Sequence, residues 1–240
     1  MRSDTAKSIH QSDIEIHECI DFANYYARSW DSKKLYENTQ FIPLGPTLIA
    51  SPWNFPLAIP AGGIFASLMA GNTVLFKPSH EAIWVGWELI NILWKAGIPK
   101  KALQFIPAQD EIGKSIISDK RLKGVLLTGS YQTAQKFLDW RPTLKLLAET
   151  SGNNSIIVTP NADYELAIKD IIESAFIHSG QKCSACSLLI LVGFKYDAFL
   201  STLKEATESL PCGSSLTPVS YTHLRAHETR HDLVCRLLLE

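Results

Sequence analysis

One cysteine of this sequence stands where a nucleophile would be expected. Cys183 ends the segment FIHSGQKC, in which a Gly-Gln turn follows a helical apolar stretch. The thiolate is the reactive form of cysteine, and a free thiol has a pKa of about 8.5. Attack on a carbonyl group therefore needs a local field or hydrogen bonds that favour the thiolate. The pattern indicates a nucleophile rather than a core thiol.

Hydrophobic periodicity predicts the elements that must position this cysteine. Apolar residues at helical spacing predict helices over residues 13–30, with Ser12 as the cap, and over 55–70, 81–96, 111–118, 131–140, 163–177 and 196–210. Short apolar runs predict strands over 72–76, 103–106, 124–127, 144–148, 154–158 and 188–192, after an extended segment over 40–50. Alternating strands and helices are typical of a doubly wound parallel sheet, so the predicted class is α/β.

Three polar motifs follow predicted strands, at the edge where such sheets bind ligands. They are Lys77-Pro78-Ser79, Thr128-Gly129-Ser130 and Glu149. The Thr-Gly-Ser motif opens a helix and offers backbone amides and hydroxyls to a pyrophosphate. No Gly-x-Gly-x-x-Gly occurs, so an ordinary Rossmann loop is absent.

Each motif also has a purely structural interpretation. Thr-Gly-Ser is a common turn, Lys77 can be a solvated lysine, and Glu149 can end a strand at the surface. Cys183 and Cys186 form a Cys-x-x-Cys, which suits a redox pair or half a zinc site, but no second pair accompanies it. Cys186 fits a small core residue better. Of the other cysteines, Cys19 fits a core position and Cys212 a loop.

Together the motifs resemble the aldehyde dehydrogenase superfamily. The segments that carry the likeness are SPWNFPLAIPAGGIFASLMAGNTVLFKPS, DWRPTLKLLAETSGNNSIIV and SAFIHSGQKCSA. Within the superfamily they are most similar to L-glutamate gamma-semialdehyde dehydrogenases, also called 1-pyrroline-5-carboxylate dehydrogenases, including the dehydrogenase half of bifunctional proline-utilisation enzymes. The likeness covers residues 13–217. It implies oxidation of the semialdehyde to glutamate with NAD, or with NADP.

The resemblance implies a role for each motif. Cys183 would attack the aldehyde, its backbone amide and the side-chain amide of Asn54 would hold the oxyanion, and Glu149 would activate water to hydrolyse the thioester. Acylating relatives often lack this carboxylate, so Glu149 favours a free acid as product. The cofactor-binding residues that the resemblance implies are Ser51, Trp53, Lys77, Ser79, Thr128, Gly129 and Ser130. His80 stands where many members carry a carboxylate that binds the ribose, which leaves the choice between NAD and NADP open.

The resemblance also implies the domains. Residues 1–150 would form the NAD-binding domain and residues 151–217 the start of a catalytic domain. Family chains continue well beyond the cysteine, through a glutamate that positions the nicotinamide ribose, a loop that anchors the substrate carboxylate and a dimerisation strand. We expect the parent protein to be a homodimer, with a proline dehydrogenase domain as a candidate upstream segment. The fragment alone is expected to be poorly soluble and inactive because apolar surface would stay uncovered.

The last residues resemble translated adapter DNA from transposase-based sequencing libraries. The codons GTC TCT TAT ACA CAT CTC, for residues 219–224, reproduce such an adapter's end, and residues 233–240 resemble its flow-cell end. Residues 218–240 are therefore interpreted as an artefact. A candidate zinc site falls within this segment, because His223, His227 and His231 recur every four residues and would lie on one face of a helix. The adapter interpretation removes that candidate.

Composition excludes several other function classes. The chain has 240 residues, 46% of them apolar and 20% charged, with a net charge of −1. This balance gives no basic footprint for nucleic acid and no polybasic membrane anchor. The N-terminus lacks the apolar run of a signal peptide, and the five cysteines form no small-domain disulfide framework, so a cytoplasmic location is expected.

Three functions from different classes remain open at this point. The first is the NAD-linked aldehyde dehydrogenase, which accounts for every motif and acts either on glutamate semialdehyde or, as the alternative, on another aldehyde. The second is a noncatalytic nucleotide-binding module, whose cofactor binding would be indifferent to changes at Cys183 and Glu149. The third is a thiol or metal protein built on Cys183 and Cys186, which would leave Asn54 and Glu149 without a role.

Overall fold

The computed structural model describes residues 1–31, 39–193, 196–213 and 222–223. Two units are distinguished along the chain. The first contains Ser12–Ser151 together with Met1 and Ser3–Thr5, and the second contains Arg2, Ala6–Gln11 and the chain from Gly152 onward. Each unit has its own sheet.

The first unit alternates strands with helices. Its strands are β1 (Pro46–Ala50), β2 (Thr73–Lys77), β3 (Leu103–Phe105), β4 (Gly124–Gly129) and β5 (Leu146–Thr150). The helices at the start of the chain are α1 (Arg2–Thr5) and α2 (Ile9–Asp31), and those that follow β1 are α3 (Ala58–Met69), α4 (Ile83–Lys95), α5 (Asp110–Ser118) and α6 (Tyr131–Trp140). A short 3-10 turn, His80–Ala82, precedes α4.

The five strands form one parallel sheet in the order β3-β2-β1-β4-β5. Neighbouring residues of a strand point to opposite sides of the sheet. Helices cover both sides. On one face Leu48 and Val125 pack with Ile117 of α5 and Phe137 of α6. On the other face Ile49, Val74 and Phe76 pack with helices α3 and α4, which contribute Ile64 and Ile90. The predicted doubly wound α/β class is confirmed.

The second unit pairs β6 (Asn154–Val158) with β7 (Cys186–Leu191) in parallel. Helices α7 (Tyr164–Phe176) and α8 (Tyr196–Glu208) cover one face of this pair. On the pair itself Ile157 and Ile190 are register partners with 61% and 39% of their surface exposed, so apolar side chains lie open there. Two short strands, β8 (Cys212–Gly213) and β9 (Thr222–His223), form a further parallel pair.

The element bounds correct several sequence expectations. Helix α2 begins at Ile9, so Ser12 lies inside it; the cap is Ser8, whose Oγ accepts a hydrogen bond from the Gln11 N–H at 3.2 Å. Cys212 lies in strand β8 and not in a loop. Strand β5 begins at residue 146 instead of 144, since the preceding residues form a turn closed by the Leu144 N–H and the Arg141 carbonyl.

In the described ranges, no helix is both long enough and apolar enough to cross a membrane.

Candidate active site

Sequence-predicted polar residues follow one another along the carboxyl edge of the five-stranded sheet. Ala50 at the end of β1 pairs with Lys77 of β2 on one side and with Leu127 of β4 on the other. Thr128 pairs in turn with Glu149 of β5. Neighbouring strands lie about 4.8 Å apart. The carboxyl ends of the strands, called here the carboxyl edge, therefore carry Lys77, Thr128 and Glu149 side by side. The register thus brings together residues that are up to 72 positions apart in sequence, Lys77 and Glu149 (149 − 77).

This edge contains the point where strand order reverses. From β1 the chain proceeds outward through β2 and β3, and then returns to β4 on the opposite side of β1. Crevices at such points are the usual ligand sites of open parallel sheets. Two segments begin at this point of the sheet. They are the loop after β1, which carries Ser51 and Asn54, and the Thr128-Gly129-Ser130 motif at the end of β4. Asn54 and Trp53 are both half-buried in that loop.

Two serines at this edge have buried hydroxyls for which the described part of the chain supplies no hydrogen-bond partner. Ser51 follows β1, and its backbone N–H donates to the Lys77 carbonyl at 3.3 Å. Its Oγ and the Oγ of Ser79 are both shielded from solvent and unpartnered. Buried polar atoms nearly always have a partner. A bound polar molecule at this edge would supply one to both hydroxyls.

A buried carboxylate fixes the end of the loop that carries Asn54. Glu15 of α2 is 1% exposed, and its Oε1 accepts hydrogen bonds from the N–H groups of Leu57 at 2.6 Å and Ala58 at 3.0 Å. These are N–H groups at the start of α3, which have no acceptor inside their own helix. Glu15 is a cap supplied from another helix, and sequence periodicity alone did not reveal it.

The Lys77 side chain lies beside helix α5. It is half-buried, and its Cε passes 3.8 Å from the point where a Cβ would stand on Gly113. A side chain at position 113 would thus meet the lysine stem at ordinary van der Waals distance.

Ser130 differs from its sequence interpretation in one respect. The motif was expected to offer its hydroxyl groups to a ligand, but the Ser130 Oγ already accepts from the Thr133 N–H at 3.1 Å as the cap of α6. It also lies 2.9 Å from the Thr133 Oγ1. Because a hydroxyl that accepts one bond keeps a hydrogen to donate, the groups that can serve an anion are the first backbone amides of α6 and the hydroxyls of Thr128 and Ser130.

Glu149 lies on the exposed surface of the edge strand β5. Its neighbours Leu147 and Ala148 are exposed as well, so this part of the strand is uncovered in the first unit. An exposed carboxylate at the end of a strand is accessible to solvent, as a residue that activates water must be.

In the second unit, Cys183 lies exposed in the turn before β7. The chain enters this turn through the 3-10 segment Ile177–Gly180. His178 and Ser179 have φ of 60° and 57°, in the left-handed region that costs ordinary residues roughly 1–2 kcal/mol each. Gly180 also has positive φ, and a Cβ there would stand 2.8 Å from the Ala175 carbonyl oxygen. Strain of this kind is maintained only where the surrounding structure fixes it.

The turn is held on its far side by side chains from two other elements. Asn154, the first residue of β6, donates through Nδ2 to the Cys183 carbonyl at 2.6 Å and to the Ala185 carbonyl at 3.0 Å. Ser174 of α7 accepts from the Cys186 N–H at 3.2 Å. Sequence reasoning missed Asn154; the available signal was a pair of asparagines directly before a short apolar strand.

The remaining cysteines behave as packing residues. Cys186 is buried, as expected, and its thiol donates to the Leu188 carbonyl at 3.4 Å. Cys19 packs against the core between the sheet and α3. Burial, reinforced by the charge of Glu15, raises the pKa of Cys19 to about 11. Of the histidines set aside with the tail, His223 lies in β9, and His227 and His231 fall outside the described residues; within the described ranges no cluster of metal-ligating residues occurs.

The sheet order and the polar carboxyl edge define a doubly wound α/β protein of the nucleotide-binding type. The profile of the aldehyde dehydrogenase family matches residues 1–230, and the chain belongs to that family. The matched range runs into the segment interpreted as adapter, whose origin stays a prediction.

Named relatives agree with this assignment. The chain is 38% identical over 229 residues to 1-pyrroline-5-carboxylate dehydrogenase of Geobacillus kaustophilus, covering 88% of this chain and 44% of the relative. Among solved structures it resembles Proline Utilization A from Corynebacterium freiburgense, with a TM-score of 0.85, 40% identity and coverage of 91% and 23% of the two chains. It also resembles a Thermus 1-pyrroline-5-carboxylate dehydrogenase with bound NAD, with a TM-score of 0.82, 31% identity and coverage of 88% and 45%. The chain thus spans less than half the length of each of these relatives.

Proposed function

We propose that the protein to which this chain belongs oxidises L-glutamate gamma-semialdehyde to L-glutamate with NAD, through a thioester on Cys183. The observation that carries the proposal is the alignment of Lys77, Thr128 and Glu149 along one sheet edge in a chain that also presents an exposed cysteine on a braced turn. The named relatives support the substrate, since they are 1-pyrroline-5-carboxylate dehydrogenases.

The carboxyl edge of the sheet fits a dinucleotide. The unpartnered hydroxyls of Ser51 and Ser79 are buried donors and acceptors, and the start of α6 presents backbone amides to an anion. The residues that would hold NAD are Ser51, Trp53, Lys77, Ser79, Thr128, Gly129 and Ser130. When bound, NAD would accept the hydride released by the substrate carbon. The NAD-bound Thermus structure supports this choice of cofactor.

The chemical steps assigned to the protein use three side chains. The Cys183 sulfur would attack the aldehyde carbon, while its own backbone N–H and the Asn54 amide stabilise the oxygen as it becomes an anion. After oxidation, Glu149 would take a proton from water, and the resulting hydroxide would displace the cysteine from the thioester. Glutamate leaves and the Cys183 thiol is restored.

The partners proposed for the parent protein follow from the same relatives. The similarity to Proline Utilization A supports a proline dehydrogenase domain in the same chain, because the name of that protein refers to use of proline. A homodimer is proposed as the parent assembly on the family resemblance alone.

The proposal is tested on the full-length product of the gene, recovered by reading the source DNA across both ends of this sequence. We expect NADH formation with glutamate semialdehyde, abolished by Cys183→Ala and retained by Cys186→Ala as the matched thiol control. Loss of the Asn54 amide in Asn54→Ala should raise the barrier by about 3 kcal/mol. Glu149→Gln should allow one rapid round of NADH formation and then stall, because the thioester accumulates.

Two results would contradict the proposal. Unchanged turnover in Cys183→Ala would remove the nucleophile, and cofactor binding without turnover in the native protein would favour the nucleotide-binding module. Repeating the assay with NADP measures the cofactor preference that His80 leaves open. The same DNA decides the origin of residues 219–240, since native DNA that continues through them would restore the three-histidine cluster as a candidate metal site.

A further inference from the structure

The side chain of Asn154 forms two hydrogen bonds to the turn that carries Cys183. We infer that Asn154 is a positioning residue, which holds the Cys183 backbone in the orientation that attack on the substrate requires. The inference rests on the proposed function, because it assigns a task to Asn154 in that reaction.

The first argument is the use of both amide hydrogens. A carboxamide nitrogen has two N–H donors. Those of Asn154 reach two carbonyls of the same turn, Cys183 at 2.6 Å and Ala185 at 3.0 Å. Two bonds from one rigid group fix the rotation of the turn relative to β6, whereas a single bond would leave it free to pivot.

The second argument is the break in the strand ladder at this point. Asn154 pairs with Cys186, but the next residue, Ser155, pairs with Leu188, so β7 contains one extra residue. A bulge of this kind disrupts the ladder locally and redirects the strand. The Asn154 side chain therefore supplies bonds to the turn where regular pairing ends. The Ser187 hydroxyl, which belongs to the extra residue, donates to the Asn154 carbonyl at 3.3 Å.

The third argument is that little else holds the sulfur. Cys183 is exposed, so its side chain is not wedged into the core, and cysteine has one side-chain torsion before the sulfur. On its N-terminal side the turn follows left-handed residues that store strain. The backbone orientation at residue 183 consequently decides where the sulfur lies. The turn is closed on itself by the bond from the Ala185 N–H to the Lys182 carbonyl at 3.1 Å, and Asn154 anchors the closed turn to β6.

The test compares variants of the full-length protein. Asn154→Asp keeps the shape of the side chain but removes both donors, Asn154→Ala removes the group entirely, and Asn154→Gln retains the amide on a longer stem. We expect kcat to fall about 10-fold to 100-fold in the aspartate and alanine variants, since a displacement of about 1 Å of a reacting group costs up to 10²-fold. KM for the aldehyde should stay within about threefold, and the glutamine variant should recover part of the loss. Asn153→Ala is the matched control, because the Asn153 side chain is exposed and takes no part in the bonds at this turn.

Hydrogen exchange gives a second readout that does not need activity. The amides of Ala185 and Cys186, which donate to the Lys182 carbonyl and the Ser174 Oγ, report opening of the turn. Their exchange should be about 10-fold faster in Asn154→Asp than in the native protein or in Asn153→Ala, because the two bonds that hold the turn to β6 are lost. Native kcat and native exchange in Asn154→Asp would overturn the inference while leaving the proposed function intact. A native protein that does not oxidise the aldehyde would overturn the proposed function. Asn154 would then have no positioning role in that reaction, even if exchange at the turn were faster in Asn154→Asp.

Discussion

Replacing Glu15 tests whether a helix on one side of the sheet holds the loop that carries Asn54. Both hydrogen bonds to α3 end on the same oxygen of Glu15. Glu15→Gln keeps a carbonyl oxygen that can accept both bonds, but it removes the negative charge. Glu15→Ala leaves the N–H groups of Leu57 and Ala58 without an acceptor, and Ala58 is fully buried.

The magnitudes follow from the two bonds. Hydrogen bonds to charged groups contribute roughly 1.5–3 kcal/mol each and neutral ones about 1 kcal/mol. Each of the two bonds should therefore weaken by about 0.5–2 kcal/mol, and the glutamine variant should lose about 1–4 kcal/mol of unfolding free energy. Unsatisfied buried donors cost roughly 1–3 kcal/mol each, so the alanine variant should lose about 4 kcal/mol. The matched control is Glu18 on the same helix, whose side chain is exposed and whose replacement by glutamine or alanine should cost less than about 0.5 kcal/mol.

The assay is urea unfolding of the full-length protein, with the slope of each transition compared to verify that the same surface is exposed. A second measurement uses Cys19, whose pKa is raised by burial and by the charge of Glu15. Removing that charge in Glu15→Gln should lower the pKa of Cys19, which alkylation rates measured against pH would detect. The reasoning would be refuted if the Glu15→Ala variant were no less stable than the Glu15→Gln variant. That result would mean that water satisfies the two N–H groups as well as the side chain does.

Three further predictions concern the caps, the turn and the buried thiol. Gly180→Ala should lower the thermal unfolding midpoint more than Gly97→Ala. Both residues have positive φ, but a Cβ on Gly180 would stand 2.8 Å from a backbone oxygen, whereas nothing lies within 4 Å of a Cβ on Gly97. Folding stability should fall as pH rises from 9 towards 11, because the pKa of Cys19 is raised from 9.0 to about 11 and its proton is held more tightly in the folded state; Cys19→Ser should flatten this fall in urea titrations at each pH. Ser130→Ala and Asp163→Ala each remove a helix cap and should each cost about 1 kcal/mol of stability, but only Ser130→Ala should raise KM for NAD; an equal effect on NAD from both variants would contradict the cofactor role of α6.

Sequence patterns predicted the parallel sheet and the order of its elements because each strand is a short apolar run and each helix has a clear apolar period. Helix α6 and strand β6 begin and end where expected, at Tyr131–Trp140 and Asn154–Val158. Their limits are marked by local signals, a serine cap for α6 and a change from amides to β-branched residues for β6. Resemblance to the aldehyde dehydrogenases supplied the roles that are proposed for Cys183 and Glu149, which spacing alone did not indicate.

The features that sequence reasoning missed all depend on contacts between distant residues. Glu15 caps a helix that begins 43 positions later, at Ala58 (58 − 15), and Asn154 reaches a carbonyl 29 positions away. Neither contact has a local pattern, since an acidic residue on a helix is ordinarily solvated and an asparagine before a strand ordinarily belongs to a turn. The cap at Ser8 was misplaced to Ser12 for a different reason, because both serines precede an acceptable first turn.

The strand order also governs how the first unit can assemble during synthesis. Strand β1 occupies the centre of the sheet, but its partner β4 is made only after two other strands and three helices have been translated. Until then a nascent chain holds β1 with one edge unpaired and with Leu48, which is fully buried in the finished fold, lacking its neighbours from β4 and α6. Pairings of such long range form slowly, and open apolar edges attract other chains. Yield in the cell should therefore depend on translation speed between β2 and β4 and on chaperones that shield the emerging centre of the sheet.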